Sequence, residues 1–559
     1  MLSVLLSYLY IAITTFLFGF GVRLLVKKFL EYEIQSVTSL IYAGLGVAAT
    51  YAGMYSLFSG VSLGANIGML IICLLITAIG KNELSNFWKM QKRRLNKRKL
   101  AFLIVMLLLF SYGASRGYMH MDSGLYHAQA IRWIEEYGVV PGLANIHCRL
   151  AYNSSAFVIT ALYSMSFFGG QSLHTVAGFM AFVLAVKGMD VISVFTRKKV
   201  LVSDFLKVAM LFYISIIYME MVSPASDYFA MLFLFYVLVT WVELEERKEK
   251  SIAPYALLCV LLVVDVAIKL SSAIMLLMVL KPAVILLKEK RYGQIGIYLV
   301  MGIFAIFPYL ARNVILSGWL IYPFPSIDLF SFDWKIPAGE ARYDGEEIKV
   351  YAKGMRDVLL KDAPMKVWLP NWFKALKSLE KIWVLGSLIS VVGGAVISIW
   401  GILKKKEEVY GLVFIQWVLI IGYLFWQIST PLVRYGYIYI LAFPFFTIGL
   451  WFVVLFEKKE KIYLLFVAAL LLFFAYKGYN LMNIIKASLE QRYYLWQQDY
   501  YTGAYSSYEV NDVEFYCPLE YGQIGYNVFP GVSYERYDFE LRGEKLKDGF
   551  RRSVKNGDF

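Results

Sequence analysis

N-S-S-A-F-V-I-T-A-L-Y-S-M-S-F-F, residues 153–168, is the stretch on which the topology of this chain turns. It is apolar enough to enter lipid, yet a full crossing here would carry Arg197–Lys199 and every later basic cluster to the opposite side. Read as a juxtamembrane or re-entrant helix, it leaves Lys89–Lys99, Arg197–Lys199, Arg247–Lys250, Lys288–Arg291, Lys404–Lys406 and Lys458–Lys461 together on one side. The positive-inside rule makes that side the cytoplasm.

Composition agrees with a chain that lives in lipid. Hydrophobic residues make up 59% and charged ones 17%, with a mean hydropathy of +0.59, outside the balance of soluble domains. The net charge of +14 invites a nucleic-acid partner, but the charge sits in short connectors between apolar runs, where its work is to fix topology and touch lipid phosphates. Nucleic acid is therefore excluded as a partner. Met1–Val26 lacks a basic n-region and a small-residue cleavage site, so it reads as a retained anchor.

The expected fold class is all-α and polytopic, with a small mixed segment at the C-terminus. Apolar runs at about 2–26, 36–58, 63–80, 100–118, 173–196, 201–219, 226–243, 252–266, 270–287, 293–311, 380–403, 409–427, 435–456 and 461–477 give about fourteen spans. The pair within 252–287 divides at Asp265–Lys269, so that Arg247-Lys248 and Lys288–Arg291 share a side. The organisation is then N-terminal membrane helices (1–118), an outer loop (119–172), a membrane core (173–311), a second outer loop (312–379), C-terminal membrane helices (380–477) and an outer tail (478–559).

All four histidines, His120, His127, His147 and His174, fall in the first outer loop or just after it, three of them around H-M-D-S-G-L-Y-H (120–127) and H-C-R (147–149). Histidine is the side chain most useful for acid–base work near neutral pH. For His127 and His147, substrate contact and structural support are left equally open, and His174 is expected to pack. Ser123 is expected to cap a helix running to Tyr137, ended by Gly138 and Pro141. Its apolar edge, Leu125, Ala128, Ile131 and Ile134, should dip into lipid or protein, with Gln129, Arg132 and Glu136 on another edge. Asp122 at the start of this helix sits where free N–H groups keep a carboxylate ionised. It could accept a proton from a hydroxyl or simply share in the cap.

The apolar run followed by an acidic residue in the first large outer loop, then a juxtamembrane helix and many further spans, resembles the GT-C class of polytopic glycosyltransferases. M-D-S-G-L-Y-H-A-Q-A-I-R-W-I-E-E-Y-G-V-V-P-G-L-A-N-I-H-C-R-L-A-Y-N-S-S (121–155), with S-P-A-S-D (223–227), I-K-L-S (268–271), R-N-V-I-L-S-G-W-L-I-Y-P (312–323), P-L-V-R-Y-G (431–436) and L-R-G-E-K-L-K-D-G-F-R (541–551), resembles the recurring pieces of a GT-C-like integral membrane family of bacteria. The resemblance implies a bacterial inner-membrane enzyme that moves a sugar from a polyprenyl-phosphate donor to a saccharide or lipid-linked acceptor on the outer, periplasmic face. It implies Asp122 as the catalytic base and Asp227 as a second acidic ligand. The chain has H-M-D where many GT-C enzymes have paired acids. His120, Asp122 and Asp227 are accordingly a tentative set for a divalent metal, Mg or Mn.

The chemistry makes its own demand. A lipid-phosphate leaving group needs fixed cations at the membrane border, and arginine meets that need with paired hydrogen bonds. Arg149, Lys269, Arg312 and Arg434 are the outer-face candidates, each with headgroup snorkelling or ion pairing as the plain alternative. The tail's Y-Y-L-W-Q-Q-D-Y-Y (493–501) suits sugar stacking or interfacial belting equally. No phosphate-binding glycine loop or paired C-x-x-C occurs, and Gly19-Phe20-Gly21 inside the first span reads as packing. Of four cysteines, only Cys148 and Cys517 face outward, which leaves a disulfide between them open. Two further classes stand beside the glycosyltransferase: a non-catalytic subunit of polysaccharide assembly, and a transporter or flippase of lipid-linked saccharide.

Overall fold

The computed structural model describes residues 1–117, 119–403, 407–456, 461–490, 493–520 and 522–553. The basic clusters at 404–406 and 458–460 lie outside the described residues. Among the described residues, eleven helices are long and apolar enough to cross a membrane, or up to twelve if one bent pair counts as a single span. The chain is a multi-pass integral membrane protein, mostly helical, with two small antiparallel sheets near its C-terminus.

Leu2–Leu30 (α1) and Val37–Tyr55 (α2) form an antiparallel pair whose backbones nearly touch. A Cβ on Gly19 would lie 1.8 Å from the Leu40 carbonyl oxygen, and one on Gly44 1.7 Å from that of Thr15. Only glycine permits this approach, as at close helix crossings in lipid. Leu63–Ile79 (α3) turns by 85° at Gly80 into Lys81–Arg94 (α4). The first is apolar throughout and the second is rich in Lys and Arg, so the bend separates a membrane helix from one suited to the interface.

Three of the fourteen expected spans are shorter than the rest. Leu63–Ile79 and Lys97–Gly113 (α5) have 17 residues each, and Ala253–Ile268 has 16. The expected division after Asp265 is present: the chain becomes extended at Lys269 and resumes as a 3-10 segment, Leu270–Val279. The last span runs on to Ser488, so the tail begins later than the apolar run suggested.

The helix after Asp122 differs from expectation. Helical backbone begins at Met121, passes through a π-helical turn at Ser123–His127 and continues as Ala128–Tyr137 (α6). Ser123 is therefore inside the helix, and its hydroxyl pairs with His127 Nδ1 at 3.2 Å instead of capping. The apolar edge of α6 is buried in protein at Ala128, Ile131 and Ile134, and Gln129 on the other edge meets protein too. Gln129 Nε2 donates to the carbonyls of Gly525 and Val528, and its Oε1 accepts from Gly531 N–H, all at 2.8–2.9 Å. The C-terminal tail thus lies on this helix.

The stretch 153–168 forms a nine-residue helix, Ser155–Tyr163 (α7), far too short to cross. Its residues are almost all buried within the protein, so it is not a surface helix. Tyr163 reaches Thr14 Oγ1 at 2.9 Å, well along α1, and the chain then returns so that Leu173 N–H meets the Ser164 carbonyl at 2.7 Å. Among helices, irregular backbone at this depth is tolerated because neighbours satisfy its polar groups: Ser154 donates to Ile268 O, Asn66 to Leu162 O and Asn153 to Tyr309 O.

The tail folds as a hairpin of Tyr505–Val510 (β1) with Val513–Pro518 (β2), and a second pair, Phe539–Leu541 (β3) with Phe550–Arg552 (β4). Phe515, Phe539 and Phe550 meet edge to face between them. The Phe550 N–H bonds the Pro141 carbonyl at 2.9 Å, tying this unit to the first loop. At the opposite end of the bundle, Lys187 and Lys207 pair with Glu243, Lys281 with Glu245 and Arg197 with Asp204.

Candidate functional site

Asp122 and Asp227 are brought to one place by Arg434. The first lies at the start of the α6 helix, the second in the first turn of the Ser226–Glu246 helix, and Arg434 in a single 3-10 turn, Val433–Tyr435. Pro431 stops the preceding helix, and the short turn presents the guanidinium sideways to both carboxylates. Arg434 Nη2 donates to Asp122 Oδ2 at 2.8 Å, Nε lies 3.2 Å from Asp227 Oδ2, and Nη1 meets His120 Nε2 at 2.6 Å. Lys269, at the extended break between its two helices, pairs with the other oxygen of Asp227 and stands 3.7 Å over the Tyr435 ring. Two carboxylates and two cations thus form one chain of contacts.

Burial tends to raise the Asp122 carboxyl, but Arg434 above all, with Arg149 also contributing, outweighs it and holds Asp122 below the usual carboxylate range. It is an anion at neutral pH. His120 supports it from behind: its ring Nδ1 accepts from the Asp122 backbone N–H at 3.1 Å, and its backbone N–H donates to Ser223 Oγ at 2.6 Å. A ring with one proton can accept from the Asp122 N–H or from Arg434, not from both.

The other histidines are supports. His127 is buried against Tyr126 and Phe157, and burial pushes it down to about 3. His147 accepts from the Arg149 N–H at 3.1 Å, stacks near Tyr534 and is likewise driven down to about 3 by burial and the nearby arginines. His174 is buried as expected, with Tyr500 OH 2.7 Å from its Nε2.

The remaining cations divide. Arg149 lies 3.7 Å from Glu347 while also acting on Asp122, so it belongs to the edge of the cluster. Arg312 is buried elsewhere, bonding Asn153 Oδ1 at 2.9 Å and Ser56 Oγ at 2.6 Å, with no carboxylate partner among the described residues. It ties the start of the 153–168 stretch to the C-terminal end of α2.

The tentative metal set does not assemble. Among the described residues no group of three His, Cys, Asp or Glu side chains is arranged to hold a metal ion. Arg434 occupies the position between Asp122 and Asp227 that a cation would take. The cysteines also stay apart: all four are free, Cys148 Sγ lies 3.6 Å from Asp344 Oδ1, and Cys517 Sγ 3.1 Å from Ser506 Oγ.

The sequence reading missed a second polar cluster beside the first. Asp344, in the Ala338–Ala352 helix of the second outer loop, accepts from Tyr322 OH at 2.9 Å and from Tyr152. Burial raises its carboxyl above the ordinary value. A buried acid that accepts from two tyrosines separated by more than a hundred residues leaves no local signal.

The fold and this cluster define a polytopic membrane protein with an arginine-bridged pair of carboxylates at the loop-bearing end of its bundle. Residues 1–441 match a family described as a domain of unknown function (DUF8201), and the chain belongs to that family. Asp122, Asp227, Lys269 and Arg434 all fall within the matched region. No curated protein and no solved structure matches the chain.

Proposed function

We propose that this protein is a glycosyltransferase that moves a sugar from a polyprenyl-phosphate donor to a saccharide or lipid-linked acceptor, on the outer face of a bacterial inner membrane, in envelope or surface polysaccharide synthesis. The finer topology of fourteen crossings, with the three shorter helices included and the cluster outside, belongs to this reading. One observation carries it: Asp122 is an ionised carboxylate held by cations of the kind a leaving phosphate requires.

In the proposed reaction the acceptor hydroxyl loses its proton to Asp122, its oxygen bonds the anomeric carbon, and the bond from that carbon to the phosphate oxygen breaks. The polyprenyl phosphate leaves with the electron pair, its charge met by Arg434, Lys269 and Arg149. Arg434 then has two tasks. Paired with Asp122 it makes that carboxylate a weak base; drawn toward a donor phosphate it would release Asp122 toward its ordinary basicity. Asp122→Asn should lower transfer from polyprenyl-phosphate sugar by about 100-fold or more without loss of folded protein. Near-normal transfer would exclude the role.

One observation favours a second reading, a transporter of lipid-linked saccharide. Asp265 is fully buried in the Ala253–Ile268 helix, and neither carboxyl oxygen has a hydrogen-bond partner among the described residues. Ionisable groups inside a membrane are expensive and mark transport pathways more often than chance. Asp265→Asn that stops export of a lipid-linked saccharide while sparing sugar transfer would favour it.

A further inference from the structure

A polar cavity of about 960 Å³ opens beside the far end of α6, away from Asp122. Along a helix rising 1.5 Å per residue, Glu135 stands about 20 Å from Asp122, so the two are separate places on one element. Four stretches of chain converge on it: the turn between α2 and α3, the end of α6, the turn after α7 and the C-terminal tail.

Its walls are built rather than accidental. The Val61 N–H bonds the Ile134 carbonyl at 2.8 Å, and Gly60 approaches α6 so closely that a Cβ would lie 2.5 Å from the Glu135 carbonyl. Glu135 is buried, accepting from Ser172 Oγ at 2.7 Å and Tyr526 OH at 2.5 Å. Arg132 is already committed, to Glu136 and to the carbonyls of Tyr526 and Asn527. Among the described residues neither Glu135 nor Asp499 has an ion-pair partner; burial raises the Glu135 carboxyl, so the acidic balance of the cavity rests chiefly on the exposed Asp499.

That balance selects the ligand. A phosphate or uronate would be repelled, in contrast to the cationic cluster at the other end of α6. The cavity offers carboxylates and amides to accept from hydroxyls, together with the exposed parts of the Tyr55, Phe167 and Tyr526 rings to cover apolar faces. Aromatic faces beside planar hydrogen-bonding groups suit one ligand class that is both polar and flat-sided.

We propose that this cavity binds neutral saccharide units, holding the distal sugars of an acceptor glycan whose reacting end lies at Asp122. The inference rests on the glycosyltransferase reading for the identity of the glycan as acceptor, and on the cavity alone for binding.

The full-length protein in detergent, applied to an array of neutral, uronic-acid and phosphorylated oligosaccharides, tests it. Wild type should bind neutral oligosaccharides, and Phe167→Ala and Asp499→Ala, both at accessible positions, should each weaken that binding about fivefold or more. Asp122→Asn should bind as wild type does. Binding to no neutral glycan, binding only to acidic ones, displacement by spermine, or indifference to both substitutions would overturn the proposal. Neutral-glycan binding in a protein that shows no transfer would sink the transferase reading and leave the cavity standing; transfer unaffected by loss of cavity binding would remove the cavity's acceptor role.

Discussion

Arg434 and Asp122, 312 residues apart in the sequence, are joined by a 2.8 Å hydrogen bond at the loop-bearing end of the bundle. The same guanidinium reaches Asp227. One side chain therefore bridges two mostly buried acids; its removal strips Asp122 of its close cation, while Lys269 still holds Asp227. Breaking a buried pair by deleting one partner typically costs about 3–5 kcal/mol. Arg434→Met should lower the detergent melting temperature by several degrees, and adding Asp122→Asn, which removes the acid left without a close cation, should restore part of it. No recovery in the double variant would mean that Arg434 acts on stability through something other than these charges.

Arg434→Lys separates charge from geometry. A lysine ammonium keeps the positive charge but lacks the planar fork that touches Asp122, Asp227 and His120 from three nitrogens. Stability should stay near wild type while sugar transfer falls about tenfold or more, since bidentate arginine contacts are worth a large part of phosphate recognition. Equal activity would show that point charge alone suffices.

How much of this was legible beforehand depends on the range of the interaction. Asp122, Lys269 and Arg434 stood out because each is an ionisable residue at the edge of an apolar run, a local property. That Arg434 lies between two carboxylates is not local, and a tentative metal was expected in its place. Ser123 followed by an apolar edge carried an N-cap signal, but His120 already contacts the Asp122 N–H, and the helix begins before Ser123. The basic clusters argued for a short, non-crossing element at 153–168, and the helix there has nine residues, while its packing depends on partners such as Thr14 and Asn66 that only the fold brings near.

Buried histidines predict a pH dependence. His127, His147 and His174 are each held down to about 3, burial being the main cause. With an unfolded value near 6.5, the unfolded chain binds protons that the folded one refuses. Stability is therefore complete above about pH 6.5 and declines as pH falls from there toward 3, by about 2 kcal/mol per histidine at pH 5. Asp122, held low in the fold, adds its own loss only toward the bottom of this window, below about pH 4, where the unfolded carboxyl takes up a proton. Melting temperatures measured at pH 7.5 and 5.0 should differ by many degrees, and His174→Gln should shrink the difference. A flat profile would mean that water reaches these rings.

The α1–α2 contact yields the sharpest structural expectation. With a Cβ on Gly44 only 1.7 Å from the Thr15 carbonyl oxygen, and one on Gly19 1.8 Å from that of Leu40, even alanine cannot be accommodated by side-chain rotation, because the obstacle is backbone on the facing helix. The helices would have to separate, emptying contacts along the whole pair, and overpacking of this kind costs well beyond the roughly 1–3 kcal/mol of a yielding core. Gly44→Ala should abolish recovery of monodisperse protein from detergent extracts. Gly293→Ala, at a position with no atom within 4 Å of the added Cβ, serves as the control and should behave as wild type. Normal yield and melting of Gly44→Ala would show that the two helices do not pack backbone to backbone.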